Sequence, residues 1–250
     1  MSTWQGRAAG YSANAYVLRG VLVDSGFARV RGELLRAVAD LAPRGAVITH
    51  WHEDHSGNAP ALAARSVPIR MHPACEQTLR ERPKLRAYRR IVWGRPSALR
   101  DPLLAFDPSP LRVIEAPGHT ADHLVVYDDE RGILASGDLF LGVKVRVAHR
   151  VERPRTLVRT LRAMAALHPR VLLDAHRGVL QEATALLLAK AVWLEDTIGN
   201  IMSLADRGLP EREIQRRVLG PEALVGYVSF GEYSGRALVQ AVLGETDEPR

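Results

Sequence analysis

Nine consecutive residues constrain this chain more than any other feature: Thr49-His50-Trp51-His52-Glu53-Asp54-His55-Ser56-Gly57. Four potential metal ligands, His50, His52, Asp54 and His55, crowd into six positions directly after a short apolar run, residues 46–49, that reads as a buried strand. A helix would set His50 and His52 about 200° apart around its axis. Extended or looped backbone returns alternate residues to one side, so the two imidazoles can share an ion. Asp54 and His55 follow on the next turn, close enough to serve a neighbouring ion. Imidazole nitrogen and carboxylate oxygen are ligands that zinc takes at catalytic sites.

Three more polar clusters stand at the ends of later strand candidates: Pro117-Gly118-His119-Thr120-Ala121-Asp122-His123, Ser136-Gly137-Asp138 and Asp174-Ala175-His176. One strand-end histidine is usually a hydrogen-bonded structural residue. Set beside the dense cluster, these later residues point instead to side chains from successive strand ends meeting at one edge of a sheet.

The remaining pattern alternates short strands with helices. Residues 16–18 and 21–23 form a hairpin turning at Arg19-Gly20, and Asp24-Ser25-Gly26 follows as a turn. Residues 29–41 place apolar side chains at helical spacing. The same spacing predicts helices over 59–65, 82–92 and 155–167, the second with its basic residues outward. Strands are expected at 67–71, 112–116, 124–127, 133–136 and 171–174. After Leu180 no strand pattern remains. Helices are expected over 180–205, 210–219 and 237–243, so the chain divides into a catalytic domain, 1–179, and a small helical appendage, 180–250. Ser56 is expected to cap the helix that follows it.

The ordered motifs resemble the metallo-β-lactamase superfamily: His-x-His-x-Asp-His at 50–55, then Gly118-His119-Thr120, then Gly137-Asp138, then His176, preceded by Asn14-Ala15-Tyr16 through Asp24-Ser25-Gly26. The likeness covers roughly residues 10–180. It implies an α/β (α+β) fold, a four-layer αββα sandwich of two mixed sheets. It also implies that His50, His52 and His119 hold one metal, that Asp54, His55 and His176 hold a second, and that Asp138 bridges them. The last motif departs from the family's usual Gly-His-Gly, reading Ala175-His176-Arg177-Gly178. An aspartate at 138 is similar to the glyoxalase II and ribonuclease Z side of the family. That branch implies two zinc ions, or iron or manganese, holding a water whose deprotonated form attacks an ester or thioester, with Asp54 taking the water's proton. His123 and Asp122 are candidates for orienting the ligands. Asp24 and Asp174 read as structural. Tyr227 and Tyr233, in the helical tail, are candidates for contact with substrate.

Composition narrows the classes. Cys75 is the only cysteine, which excludes an intramolecular disulfide and a cysteine metal cage. No apolar run reaches the roughly 18 residues needed to span a bilayer, and no secretory h-region follows Arg7, so a cytoplasmic location is expected. The net charge of +6 is local: residues 80–100 hold eight basic groups against Glu81 alone. That segment motivates an alternative, a phosphodiesterase acting on RNA, although a solvated helix face explains it equally. Two further alternatives are a mononuclear iron persulfide dioxygenase using His50, His119 and Asp138, and a non-catalytic binding module. A homodimer contact through the helical tail is also open.

Overall fold

Among the described residues the strands are short, two to five residues, and those buried at every position are apolar nearly throughout, as expected where both faces of a sheet are covered. The computed structural model describes residues 12–82 and 85–245; Met1–Gly10 and Lys84 of the sequence reading lie outside them. By their contacts the described residues fall into two units. The first takes those up to Ala116, then Asp122–Asp138 and Pro169–Ala183; the second takes Pro117–Ala121, Leu139–His168 and those from Thr184 on.

The first unit contains two sheets. β1 (Tyr16–Leu18) and β2 (Val21–Val23) make the expected hairpin, with Leu18 opposite Val21. Arg19 and Gly20 both turn at positive φ, 47° and 74°, the geometry a two-residue hairpin loop requires. A 3-10 turn, Ala28–Val30, leads into α1 (Arg31–Leu41). β3 (Gly45–Val47) then runs parallel to β2, and β4 (Ile69–Arg70) parallel to β3. Between β3 and β4 lie two short helices, α2 (Glu53–Ser56) and α3 (Ala59–Ala63). α4 (Pro73–Glu81) and α5 (Ala87–Trp93) follow; the single helix expected over 82–92 is thus shorter, and it is preceded by another that the sequence reading did not mark.

The second sheet runs β10 (Gly178–Gln181), β9 (Val171–Asp174), β7 (Ile133–Gly137), β6 (Leu124–Asp128), β5 (Arg112–Glu115). It is mixed, with β7 and β9 parallel and the other pairs antiparallel. Leu18, Val21, Val23 and Val47 of the first sheet pack with Val126 and Ala135 of the second, so the two sheets meet face to face. On the first sheet's other face, Leu22, Ala46 and Ile48 pack with Leu34, Leu62 and Leu79 from α1, α3 and α4. At about 25 cal/mol per Å² of apolar area, these two layers supply the main drive for the unit to fold.

The second unit is mainly helical: α6 (Pro154–Ala165), α7 (Ala183–Asp206), α8 (Glu211–Val218), α9 (Leu224–Val228) and α10 (Gly235–Gly244). Ile201, Ile214, Leu238 and Val242 centre its core. The buried Lys190 ammonium on α7 donates to the carbonyls of Leu139, at 2.9 Å, and Phe140. Two features correct the sequence reading. β10 occupies Gly178–Gln181, ahead of the helix expected from 180, because its residues pair with β9. A two-residue strand, β11 (Tyr233–Ser234), pairs with β8 (Ala148–His149), a ladder too short for periodicity to mark. Among the described residues no helix is long and apolar enough to cross a membrane.

Candidate metal centre

β3 delivers the dense motif to the end of the first sheet. The backbone beyond it stays extended for Ile48-Thr49, and Ile48 N–H donates to Arg70 O at 3.0 Å while Thr49 O accepts Leu124 N–H at 2.7 Å. The chain then breaks into the single turn of α2. Ser56 does not cap α3. Its hydroxyl instead donates to the carbonyls of Trp51 and His52, at 2.7 and 3.1 Å, closing the turn on itself. Gly57 is required beside it: a Cβ there would stand 2.3 Å from Glu53 O and 2.9 Å from Gly26 O.

Two donor groups result. His50, His52 and Asp138 present ligand atoms within 4.8 Å of one another, and so do Asp54, His55 and His176. Asp138 stands against both: its Oδ2 is 3.8 Å from His50 Nε2, and its Oδ1 is 3.2 Å from His55 Nε2 and 3.0 Å from His176 Nε2. Asp54 Oδ2 is 3.5 Å from His55 Nε2 and 3.6 Å from His176 Nε2. All six side chains are buried except that of His176, which is partly so.

Three of the imidazoles are oriented by what their Nδ1 touches. His55 Nδ1 donates to Asp24 Oδ2 at 2.8 Å. Thr49 donates to the same carboxylate twice, from its backbone N–H at 2.8 Å and its hydroxyl at 3.0 Å. With its proton directed there, the Thr49 hydroxyl accepts from His50 Nδ1 at 3.0 Å. His176 Nδ1 donates to Ser12 O at 2.7 Å. In His50, His55 and His176 Nδ1 is thereby engaged, and Nε2 is the nitrogen turned to the other candidate ligands, toward Asp138 in His55 and His176 and 3.0 Å from His52 Nδ1 in His50. Asp24, read from sequence as structural, thus orients residues of both donor groups. Asp174 accepts the backbone N–H groups of His176 and Arg177 at 2.9 and 2.8 Å and so shapes the departing Ala-His-Arg-Gly motif.

The two residues expected to orient ligands contact backbone N–H groups in and beside the candidate set. Asp122 Oδ2 accepts Trp51 N–H at 2.9 Å, and His123 Nε2 accepts Asp138 N–H at 3.1 Å. Gly137 makes the second contact possible, since its φ is +49° and a Cβ would meet His123 Nε2 at 2.8 Å. The seventh sequence candidate, His119, is buried on the Pro117–Ala121 loop of the second unit. There its Nδ1 lies 3.6 Å from Glu152 Oε2, a carboxylate that also accepts His149 N–H and that no sequence motif marked. Tyr227 and Tyr233 belong to the second unit as well, the first exposed on α9, the second in β11 with its ring edge to His149.

The electrostatics fit a cation. Burial lowers the pKa of His50 far below the ordinary value, and the neighbouring His55 and His52 lower it further. Burial pulls His55 the same way, but Asp138, Asp54 and Asp24 outweigh it and hold that imidazole well above its usual range. His176, also opposed by burial, is pushed up to about 9 by Asp138 and Asp54. Buried carboxylates that draw protons onto two imidazoles are a site that demands positive charge. Nε2 of His55 makes no hydrogen bond among the described residues, although its ring is anchored on the other side. A nitrogen and oxygen donor set of this kind suits a divalent transition metal, so the residues fit a metal site.

One expectation about charge is corrected. Arg89, in the basic segment, does not face outward. It is 4% exposed and forks onto Glu53, Nε to Oε1 at 2.5 Å and Nη2 to Oε2 at 2.6 Å. A carboxylate as buried as Glu53 is stable only with such a partner. Burial raises its pKa, and Arg89 opposes the rise.

Comparison with known proteins places the chain. The metallo-beta-lactamase superfamily model matches residues 8–190. Among relatives, the lactamase-like protein nscB of Trichophyton verrucosum is 29% identical over 135 residues, 54% of this chain and 42% of that protein. The atrochrysone carboxyl ACP thioesterase of Aspergillus fumigatus is 26% identical over 136 residues, 54% of this chain and 28% of that protein. The chain therefore spans less than half the length of these relatives. A metallo-beta-lactamase family protein of Thermus thermophilus superposes with a TM-score of 0.65 over 92% of this chain and 87% of its own, at 19% identity, a likeness of fold. With the family model matched across most of the chain, the chain belongs to the metallo-β-lactamase superfamily.

Proposed function

We propose that this superfamily member is a metal-dependent hydrolase that cleaves a small-molecule thioester. The observation that carries the reading is the pair of adjoining donor groups, His50/His52/Asp138 and Asp54/His55/His176, within one buried cluster. We assign His119 to the first group on the family's motif order, Asp138 as the shared ligand, and zinc as the ion. When bound, a pair of such ions would polarise the substrate carbonyl and make water a competent nucleophile near neutral pH.

The remaining steps belong to the chain. Asp54 orients the attacking water and accepts its proton on the carboxylate. Asp24, Thr49 and the Ser12 carbonyl keep the ligand imidazoles in one tautomer. The products are a carboxylic acid and a thiol. A thiol is acidic enough, at about 8.5, to leave as its thiolate without a general acid, and the proton held on Asp54 then passes to the thiolate or to solvent. The thioesterase name of the Aspergillus fumigatus relative supports the same substrate class. The RNA alternative loses ground, since Arg80 pairs with Glu76 and Arg89 with Glu53.

The test is thioester turnover followed by thiol release, on zinc-loaded protein, with the metal content measured. Turnover should fall about a hundredfold or more, some 2.7 kcal/mol, in Asp138→Ala and on chelation, and return when zinc is restored to the parent. Thioester cleavage equal in parent and Asp138→Ala would refute the reading. One iron per chain with no hydrolysis would favour the dioxygenase instead.

A further inference from the structure

Within the dense motif, candidate ligands alternate with anchored residues. Trp51 N–H is held by Asp122 at 2.9 Å, and the Glu53 carboxylate is held by both arms of Arg89. His52 and Asp54, the residues between and after them, present donor atoms to the two groups. The guanidinium is itself fixed: its central carbon lies 5.7 Å from the Trp51 ring and 5.8 Å from that of Trp93. A guanidinium fork sets direction as well as distance, which a single ammonium charge does not.

We propose that Arg89, carried by α5 of the basic segment, is a positioning residue for the metal ligands His52 and Asp54, acting through Glu53. Glu53 opens α2, with His52 immediately before it and Asp54 immediately after. Any rotation of that first turn moves both ligand side chains together. Ser56 ties the turn to the Trp51 and His52 carbonyls, so the turn shifts as one piece. The Arg89–Glu53 fork then sets the angle at which this piece meets Asp138 and His176. The inference rests on the metal reading of the cluster and is independent of the thioester.

Two variants test it. In R89K the charge stays and the fork is lost. In E53L/R89M both partners become apolar, a replacement that commonly preserves stability in buried pairs. Zinc affinity is read by competition with a chelator, ligand geometry by the visible spectrum of the cobalt-loaded protein, and folding by thermal melts. If Arg89 positions the ligands, R89K binds zinc roughly 10–100-fold more weakly than the parent with an altered cobalt spectrum. The double variant melts near the parent and shows the same metal defect. Parental zinc affinity and cobalt spectrum in either variant would overturn the proposal, because the pair would then serve stability alone. Since these readouts use no substrate, they stand whatever the thioester assay returns.

Discussion

Replacing Asp24 with asparagine changes one atom and should disable a ligand that Asp24 only orients. Asp24 sits at a φ of 64°, a region aspartate and asparagine both tolerate. Backbone strain is therefore unchanged. The carboxylate accepts three hydrogen bonds: Thr49 N–H on Oδ1 at 2.8 Å, and on Oδ2 the Thr49 hydroxyl at 3.0 Å and His55 Nδ1 at 2.8 Å. An amide offers one acceptor oxygen and one NH2 that can only donate. Thr49 N–H cannot reverse its role, so the amide oxygen must face it. The amide NH2 then faces the hydroxyl, which can turn to accept, and His55 Nδ1, which can accept only if its proton moves to Nε2. That nitrogen is the one directed at Asp138 and Asp54, at 3.2 and 3.5 Å, and a protonated Nε2 cannot coordinate. The loss in affinity for the ion of the Asp54/His55/His176 group should be about 10–100-fold, or about 1.4–2.8 kcal/mol. Stability under excess chelator should fall by about 1–3 kcal/mol for the broken buried bonds, about 2–12 °C at this chain length. Zinc titration against a chelator and thermal melts read the two effects separately. Thr49→Val, which leaves the Asp24–His55 bond and removes the hydroxyl facing His50, should weaken the other group instead. D24N protein that keeps parental metal content and affinity would refute the reasoning.

Three more outcomes follow from the geometry. Gly137→Ala forces a Cβ to within 2.8 Å of His123 Nε2 at a φ of +49°; it should cost about 1–3 kcal/mol in urea and lower metal content by displacing Asp138. Asp128 is held below the usual carboxylate range by its hydrogen bonds from Arg19 and from Arg131 N–H. Its folded pKa is depressed, so its stabilisation is present above the unfolded value of about 3.9 and is lost as pH falls through the lower folded one. The urea midpoint of Asp128→Asn should therefore lie below the parent's at neutral pH and converge with it in acid; a gap that persists unchanged at about pH 2 would contradict the assignment. Saturating zinc at about a hundred times its dissociation constant should stabilise by about 2.7 kcal/mol, raising the melting temperature by roughly 5–11 °C, and chelation should reverse the shift.

The fold was legible where burial acts on a whole segment. β2, β3 and β6 are buried along their length, so apolar runs between turn residues marked them, and Arg19-Gly20 marked the hairpin by its turn chemistry. Legibility failed where pairing or local geometry decides. β8 and β11 are two residues each and exist because they pair with one another. β10 alternates intermediate and exposed positions without a buried one, so it carries no apolar signature and merged with the helix behind it. α4 begins at Pro73, with the His72 side chain accepting Ala74 N–H, a cap outside the usual set of serine, threonine, aspartate and asparagine.

The site divides along the same line. Residues that would touch a metal must carry nitrogen or oxygen donors at the ends of strands, and few side chains qualify, so spacing nominated them. What orients a donor need satisfy only one hydrogen bond, and a backbone carbonyl such as that of Ser12, a threonine hydroxyl or a carboxylate 31 residues away serves equally. No spacing rule selects among such partners. Arg89 is the sharpest instance. In sequence it is one of eight basic residues in a segment of high net charge, and charge alone assigns all eight to solvent. The buried Glu53 separates it from the others. A carboxylate removed from water between two candidate ligands requires a cation within hydrogen-bond reach, and the fold brings Arg89 to it from a helix 36 positions away. In this chain the acid enclosed by the ligand motif that is not itself a candidate ligand, Glu53, is the one met by a distant base turned inward.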